Sequence, residues 1–265
     1  NYFDEALKSL SSAENISIQN PAFDKNLNNQ IQALPDKMVA LVYFGRSGTG
    51  LLHSLIDGHP EVSTLPSVYF SEYFAHSTWE KIICDGWREM VSRFISIYEV
   101  LFDAMSDIPI ETAGKKYISG IGQKEGMTNV GDERSEVLSV DKTIFRSELN
   151  RLMSYYDKLD SSVFFKLVHT AFDKAINDQN NKDLIFYHIH NPSLPAKLKF
   201  VRSSSEASWV VAVREPIQSC ESWIKEQFSS GDYFDLAGRL LNLLFEIDNI
   251  VYKRKRSVGV RLEDL

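Results

Sequence analysis

Short apolar runs alternate with amphipathic stretches through most of this 265-residue chain. Runs at residues 38–44, 184–190 and 209–213 have the length and the aromatic or branched content of buried parallel strands. Shorter runs at 62–65 and 258–265 predict two further strands. Because stretches with helical spacing separate these runs, the pattern predicts an α/β fold, a doubly wound and mostly parallel sheet flanked by helices. Ligands bind such sheets beyond the carboxyl ends of the strands.

The spacing of apolar residues also indicates which helix faces point inward. Residues 79–110 read as helical, and their apolar stripe is interpreted as core rather than as a ligand site. A helix after residue 216 is expected to bury Ile217 and Trp223, and a long helix is predicted at 235–256. The helix after the first main strand is predicted to bury four residues of one face, Leu51, Leu52, Leu55 and Ile56.

The first 35 residues differ from the rest of the chain. Two helical patterns flank a polar stretch and Pro21, which resembles the last unit of a tetratricopeptide array. A plain amphipathic extension is an equally good interpretation. The predicted organisation is therefore a helical extension at 1–35 and a main domain at 36–265, in which residues from about 79 to 180 form a helical insertion.

A glycine-rich turn, GRSGTG at residues 45–50, connects the first main strand to the helix that follows it. Backbone N–H groups at a helix start attract an anion, and glycine lets the backbone approach that anion closely. The phosphate loop of ATP- and GTP-binding proteins needs lysine and then a hydroxyl residue after its second glycine. Leu51 and Leu52 occupy those positions, which disfavours ordinary kinase chemistry. A purely structural turn is the other interpretation.

The cation of this turn is Arg46, directly before Ser47, Gly48 and Thr49. This arrangement resembles the sulfonate-donor loop of sulfotransferases that use 3′-phosphoadenosine 5′-phosphosulfate (PAPS), and the LLHSLIDGHPEVSTLP that follows is similar to the same family. The resemblance implies that residues 46–50 hold the 5′-phosphosulfate and that no metal is required. Gly50 is a departure, because many family members carry a second Thr or Ser there.

A second part of the resemblance is VVAVREPIQSCES, in which Arg214 follows a predicted strand and Ser222 lies eight positions later. In the family, residues at these two positions bind the 3′-phosphate that distinguishes PAPS from ATP. A guanidinium group can bind phosphate through two hydrogen bonds, and a hydroxyl adds a neutral donor. Ser219 is the alternative if the register differs. In the structural interpretation, Arg214 only pairs with a nearby carboxylate.

The third part is HIHNP, at the end of the strand predicted at 184–190. Many cytosolic sulfotransferases have Lys-x-His-x-Pro here, so the resemblance implies that His190 is the general base and that His188 replaces the lysine. Imidazole titrates in the range that suits proton removal from a hydroxyl. Residues two apart on a strand share a face, so both histidines can reach one site. Glu72 is a less specific catalytic candidate, because some relatives place a catalytic Glu shortly after H-P-x-V. His53 is interpreted as structural.

Charge and cysteine content limit the classes of binding partner and the cellular compartment that the sequence favours. A formal net charge of −7 argues against general nucleic-acid binding. Cys84 and Cys220 make neither a disulfide framework nor a metal motif, which fits a reducing compartment. No apolar run reaches the roughly 18–20 residues of a membrane span. The predicted location is the cytoplasm, or the Golgi lumen if the chain is a fragment of an anchored eukaryotic protein.

The resemblance implies a PAPS-dependent sulfotransferase that transfers a sulfonate group in line to an acceptor hydroxyl, with an amine as the less favoured acceptor. Arg46 would stabilise the developing charge, and His190 would take the proton. The acceptor is a carbohydrate, lipid, peptide or small molecule, and the insertion is expected to contact it. The closing VRLEDL also resembles the family's VRYEDL. Two alternatives stay open: a P-loop nucleotide kinase, and a non-catalytic nucleotide-binding module beside a helical-repeat domain.

Overall fold

A computed structural model describes most of the chain. The sequence predictions for the greater part of the 1–35 extension, for Asn191 and Pro192, and for the end of the 235–256 helix lie outside the described residues. The described residues are 16–25, 33–43, 46–66, 70, 72–106, 110–112, 115–117, 127–178, 180–190, 193–226, 233–251 and 256–265.

The main sheet contains five strands, all parallel. Within the described residues, the strands are β1 (Ile18–Gln19), β2 (Lys37–Tyr43), β3 (Val62–Thr64), β4 (Ile110–Thr112), β5 (Lys115–Tyr117), β6 (Lys158–Leu159), β7 (Leu184–His188), β8 (Ser208–Val213) and β9 (Ser257–Arg261). The order in the main sheet is β3–β7–β2–β8–β9, with β2 at the centre. The pairs β1–β6 and β4–β5 are short and antiparallel.

Helices cover both faces of the sheet, so the predicted α/β architecture is confirmed. Short 3₁₀ turns lie at Trp87–Glu89, Glu99–Leu101 and Leu262–Asp264. The α-helices are α1 (Thr49–Ile56), α2 (His76–Ile83), α3 (Met90–Ile97), α4 (Lys142–Met153), α5 (Ser161–Ala175), α6 (Leu194–Ser203), α7 (Pro216–Glu226) and α8 (Tyr233–Val251).

Side chains alternate between the two faces, as the period of a strand requires. One face packs against a large core supplied by α2 to α6; it is called the aromatic face and carries Ala40, Ile185, Tyr187, Trp209 and Val211. The opposite face packs against α1 through Leu52; it is called the histidine face and carries Leu41, Phe186, His188 and Ala212.

The segment predicted as an insertion builds the core of the aromatic face. Its largest buried side chains include Phe94, Phe102, Phe145, Phe164 and Phe165. The prediction that the apolar stripe of residues 79–110 is core is therefore confirmed. A continuous helix there is wrong, because Gly86 adopts a φ of 84° and separates α2 from the next turn.

The described part of residues 1–35 packs against the main domain. Strand β1 pairs with β6, and the Trp79 indole N–H donates a 2.7 Å hydrogen bond to the carbonyl of Ile16. Ile18 and Leu34 contact the core of the aromatic face. The segment thus contributes packing to the α/β domain.

Two predictions of helix orientation are wrong. In α1, Leu51 and Leu55 are 48% and 60% exposed, because this helix meets the sheet through the adjacent row that begins at Leu52. In α7, Ile217 is 69% exposed because Trp223 lies on the other side of the helix and is buried there. Within the described residues, no helix has the length and apolar content to cross a membrane.

Candidate functional site

The central crevice of the sheet lies between the carboxyl ends of β2 and β8. These strands are neighbours, and the chain leaves them in opposite directions, from β2 toward β3 and from β8 toward β9. Such a reversal opens a ligand-binding crevice at the strand ends. The turn that contains Arg46 borders the crevice on one side, and Arg214 follows β8 on the other.

The turn before α1 has an unusual backbone. Arg46 and Gly48 have φ angles of 54° and 75°, in the left-handed region. A Cβ on Gly48 would lie 2.3 Å from Cδ1 of Leu262, so the closing VRLEDL segment packs directly on the turn. Both the φ angle and this contact therefore require glycine at position 48.

The start of α1 offers donors for an anion. Its N-cap is Gly48, which supplies no side-chain cap for the first N–H groups of the helix. Ser47 is 2% exposed, and its hydroxyl has no hydrogen-bond partner among the described residues. Thr49 is the first residue of the helix, and open space surrounds the position that a Cβ on Gly50 would take. The Thr or Ser that many sulfotransferases carry at position 50 would therefore fit here.

Residues from the two sides of the crevice meet. Nε of Arg46 donates a 3.0 Å hydrogen bond to Oγ of Ser222, 176 positions later on α7. Arg214 contacts Gln218 of the same helix through a 3.2 Å hydrogen bond. Ser219 is 1% exposed. The structure thus brings Ser222 to Arg46.

The surroundings of Arg214 are partly acidic. The N–H of Glu215 donates a 3.0 Å hydrogen bond to Glu263, and this bond lowers the pKa of the Glu263 carboxyl, with smaller contributions from the charges of Arg261 and Arg214. Among the described residues, no carboxylate lies within 4.0 Å of the Arg214 guanidinium. The simple ion pair of the structural interpretation is thus absent from that part of the chain.

The two candidate histidines lie together at the end of β7. Their ring centroids are 5.5 Å apart, as their shared strand face predicts. His190 stacks on Tyr43 of β2 at 5.6 Å, and His188 contacts His53 of α1 edge to face at 6.2 Å. The four rings form a compact group on the histidine face.

Burial keeps these imidazoles neutral. Desolvation lowers the pKa of His190 to about 4. It lowers the pKa of His188 well below its usual range, and the neighbouring His190 and His53 add to that effect. The pKa of His53 is also lowered by burial, against the opposing charge of Asp57. Near neutral pH the imidazoles of the site are therefore uncharged, and burial makes each of them a weaker base than a free imidazole.

Glu72 has a structural contact with the start of α6. Its carboxylate accepts hydrogen bonds from the N–H and, at 2.8 Å, from the hydroxyl of Ser193, the N-cap residue of α6. Ser193 follows His190 by three positions, so Glu72 anchors the chain just beyond the histidines. A catalytic role for Glu72 stays a prediction.

Sequence reasoning missed two members of the group, His53 and Tyr43. His53 lies one turn into α1 and was interpreted as structural, although it faces the same side of the sheet as His188. Tyr43 lies at the end of β2, two residues after Leu41, and this period-two spacing could have placed it beside the β7 histidines.

Comparison with protein-family models, curated proteins and solved structures found no match to this chain. The assignment of the site therefore depends on its geometry and on the sequence resemblance. Within the described part of the chain, no group of three or more His, Cys, Asp or Glu side chains is arranged to hold a metal ion.

Proposed function

We propose that this protein is a PAPS-dependent sulfotransferase with a P-loop-like donor site. The proposal depends most on the contact between Arg46 and Ser222, which joins the anion-binding turn to the helix after Arg214. Two groups that the resemblance assigns to opposite ends of one nucleotide thus come from distant parts of the chain and border one crevice.

The chemistry of the crevice suits a nucleotide with two anionic ends. The uncapped start of α1, with Ser47 and Arg46, provides donors for the 5′-phosphosulfate. Arg214 and Ser222 provide a guanidinium and a hydroxyl for the 3′-phosphate. Kinase activity is disfavoured. A phosphate loop needs a lysine and a hydroxyl residue at the positions of Leu51, which is half-exposed, and Leu52, which is buried, and neither leucine supplies such a group.

In the proposed reaction, the acceptor hydroxyl attacks the sulfur of PAPS. A new S–O bond forms, the bond from sulfur to the bridging phosphate oxygen breaks, and the adenosine 3′,5′-bisphosphate departs. His190 accepts the hydroxyl proton, and its neutral form is present near pH 7 because burial depresses its pKa. Arg46, Ser47 and Thr49 stabilise negative charge on the transferring and leaving groups.

Calorimetric titration with adenosine 3′,5′-bisphosphate, beside ADP and AMP, tests the donor site. We expect the bisphosphate to bind at least tenfold more tightly than ADP. Arg214→Ala should weaken the bisphosphate by roughly 10- to 100-fold, since a hydrogen bond to a charged group is worth about 1.5–3 kcal/mol, and should leave AMP unchanged. Arg239→Ala, at an exposed arginine of α8, is the matched control.

Transfer of radiolabelled sulfonate from PAPS to a broad acceptor panel tests the chemistry. His190→Ala should abolish transfer while bisphosphate binding persists. Tight binding without transfer by the wild-type protein would favour the non-catalytic nucleotide-binding module. Equal affinities for AMP and the bisphosphate would overturn the donor assignment.

A further inference from the structure

A cavity lies at the opposite end of the sheet from the Arg46 turn. Its volume is about 610 Å³, within the range of small-molecule sites. Pro35, which precedes β2, and Asp183, which precedes β7, border it, and the N–H of Lys37 bonds to the Asp183 carbonyl at 3.2 Å. The cavity is therefore at the amino ends of the strands, where the proposed donor site makes no contact.

The cavity wall includes a buried carboxylate with incomplete hydrogen bonding. Asp173 of α5 is only 6% exposed, and its Oδ2 has no hydrogen-bond partner among the described residues. Ser63 supplies one hydrogen bond to this side chain and also contacts Nδ1 of His169 at 2.9 Å. A buried acceptor without a donor is costly, so an ionised Asp173 favours a ligand that donates hydrogen bonds and carries positive charge.

The basic residues of the wall are largely committed to other groups. Arg151 makes two hydrogen bonds to Glu148, at 2.8 and 2.6 Å. Lys182 contacts Asp178 at 2.6 Å and the His59 carbonyl at 2.8 Å. Lys174 is the third basic residue of the lining. The lining also contains the acidic residues Asp173 and Asp183. The wall therefore has a small excess of negative charge.

We propose that this cavity binds a small organic cation, an alkylammonium or alkylguanidinium group, with Asp173 as its anionic anchor. The charged group of the ligand pairs with the Asp173 carboxylate where this side chain borders the cavity, and its alkyl part lies against Ala33, Leu34 and Pro35. This site is independent of the proposed sulfonate transfer, because no residue is shared with the donor crevice.

The pH dependence of binding follows from the environment of Asp173. Burial raises the pKa of its carboxyl to about 7, while Ser63 and the charge of Lys182 act in the opposite direction. Asp178 and Asp57 add to the increase, and His169, with a pKa of about 3, stays neutral across Ser63. The ligand selects ionised Asp173, so affinity rises with pH, by about tenfold from pH 6 to pH 8, while an alkylamine stays protonated.

Titration of the whole protein with n-butylammonium and n-butylguanidinium chloride, followed by NMR chemical shifts at pH 8, tests the proposal. Shifts should concentrate around residues 173–183, and n-butanol and butyrate should produce none there. Asp173→Asn should weaken binding at least tenfold, whereas Asp183→Asn, at an exposed carboxylate of the same rim, should change it less than threefold.

Absence of binding by either cation, or equal shifts with butyrate, overturns the cation site. If Asp173→Asn does not fold, the wild-type titrations at pH 6 and pH 8 decide, and equal affinities refute the role of Asp173. Titration of folded Asp173→Asn with adenosine 3′,5′-bisphosphate separates the two sites, because the donor crevice should bind as in the wild type.

Discussion

The two faces of the sheet differ in how densely they are packed and in which polar side chains they carry. The aromatic face is covered by a dense core in which Phe165 stacks on Phe70 at 5.3 Å and contacts several more rings. The histidine face has a thinner cover, in which α1 packs mainly through Leu52. The face with less packing carries His53, His188 and His190 and adjoins the turn that contains Arg46. The heavily packed face therefore supplies the rigidity of the sheet that carries this candidate site.

The largest expected effect comes from a cavity on the aromatic face. Phe165→Ala should lower the free energy of unfolding by about 3–5 kcal/mol, because a fully buried ring is lost and the neighbouring rings cannot collapse into its space. Leu52→Ala on the histidine face should cost about 2 kcal/mol, at the lower limit for such changes. Urea denaturation measures both.

Leu55→Ala is the control for this pair, because Leu55 is 60% exposed and should change stability by less than about 0.5 kcal/mol. A Leu52→Ala cost as large as that of Phe165→Ala would remove the distinction between the two faces.

The next effect concerns the turn that borders the histidine face. Gly48→Ala should cost about 1–2 kcal/mol for the left-handed backbone, and somewhat more because Leu262 must move. Affinity for adenosine 3′,5′-bisphosphate should fall with it. Thermal unfolding measures the loss of stability, and calorimetric titration measures the loss of affinity.

Gly50→Ala is the matched control, since it lies inside α1 with open space around it and should be neutral or stabilising by up to about 1 kcal/mol. The double variant with Leu262→Ala should recover the part of the Gly48→Ala cost that arises from the clash. Equal behaviour of the two alanine variants would contradict the assigned geometry.

The last effect is a difference between the two faces in acid sensitivity. On the aromatic face, native His169 stays neutral where the unfolded chain binds a proton, whereas native Asp173 keeps a proton that the unfolded chain releases. Between about pH 4 and 6.5, the two residues therefore change the free energy of unfolding with pH in opposite directions, and their contributions cancel. On the histidine face, His188 and His190 both have lowered pKa values, so the unfolded state binds more protons and stability falls as the pH decreases below 6.5.

His190 should contribute about 1.4 kcal/mol per pH unit between about pH 4 and 6.5, and His188 acts in the same direction. His190→Gln should therefore make the acid loss of stability shallower, and Asp173→Asn should make it steeper by removing the opposing contribution. Denaturation curves at pH 7, 6 and 5 measure these slopes. Parallel curves for the two variants would show that the histidine face does not control acid sensitivity.

The sequence predicted the parts of the fold that depend on local pattern. The short apolar runs of β2, β7 and β8 predicted a buried parallel sheet. A turn was predicted at residues 45–50 between β2 and α1, and the helix begins two residues earlier than predicted, at Thr49. Exposure was harder to predict. Leu51 and Leu55 are as apolar as Leu52, and only the position of α1 on the sheet determines which of them is buried.

Long-range contacts explain what the sequence could not predict at the site. Spacing favoured Ser222 over Ser219 but could not show what Ser222 contacts, which is Nε of Arg46, 176 positions earlier in the chain. His53 joins the imidazole group only because α1 crosses the end of β7. Asp173 is an ordinary helical residue in sequence, and its buried position beside Ser63 depends on how α5 packs against β3.

The contact between Leu262 and Gly48 has a consequence for the order in which the molecule matures on the ribosome. The two residues are more than two hundred positions apart, so at bacterial or eukaryotic elongation speeds the turn waits roughly 10 to 40 seconds for its packing partner. A nascent chain that stops short of β9 lacks this support. In the proposed donor site, nucleotide binding would therefore require that β9 and the turn after it have docked against Gly48.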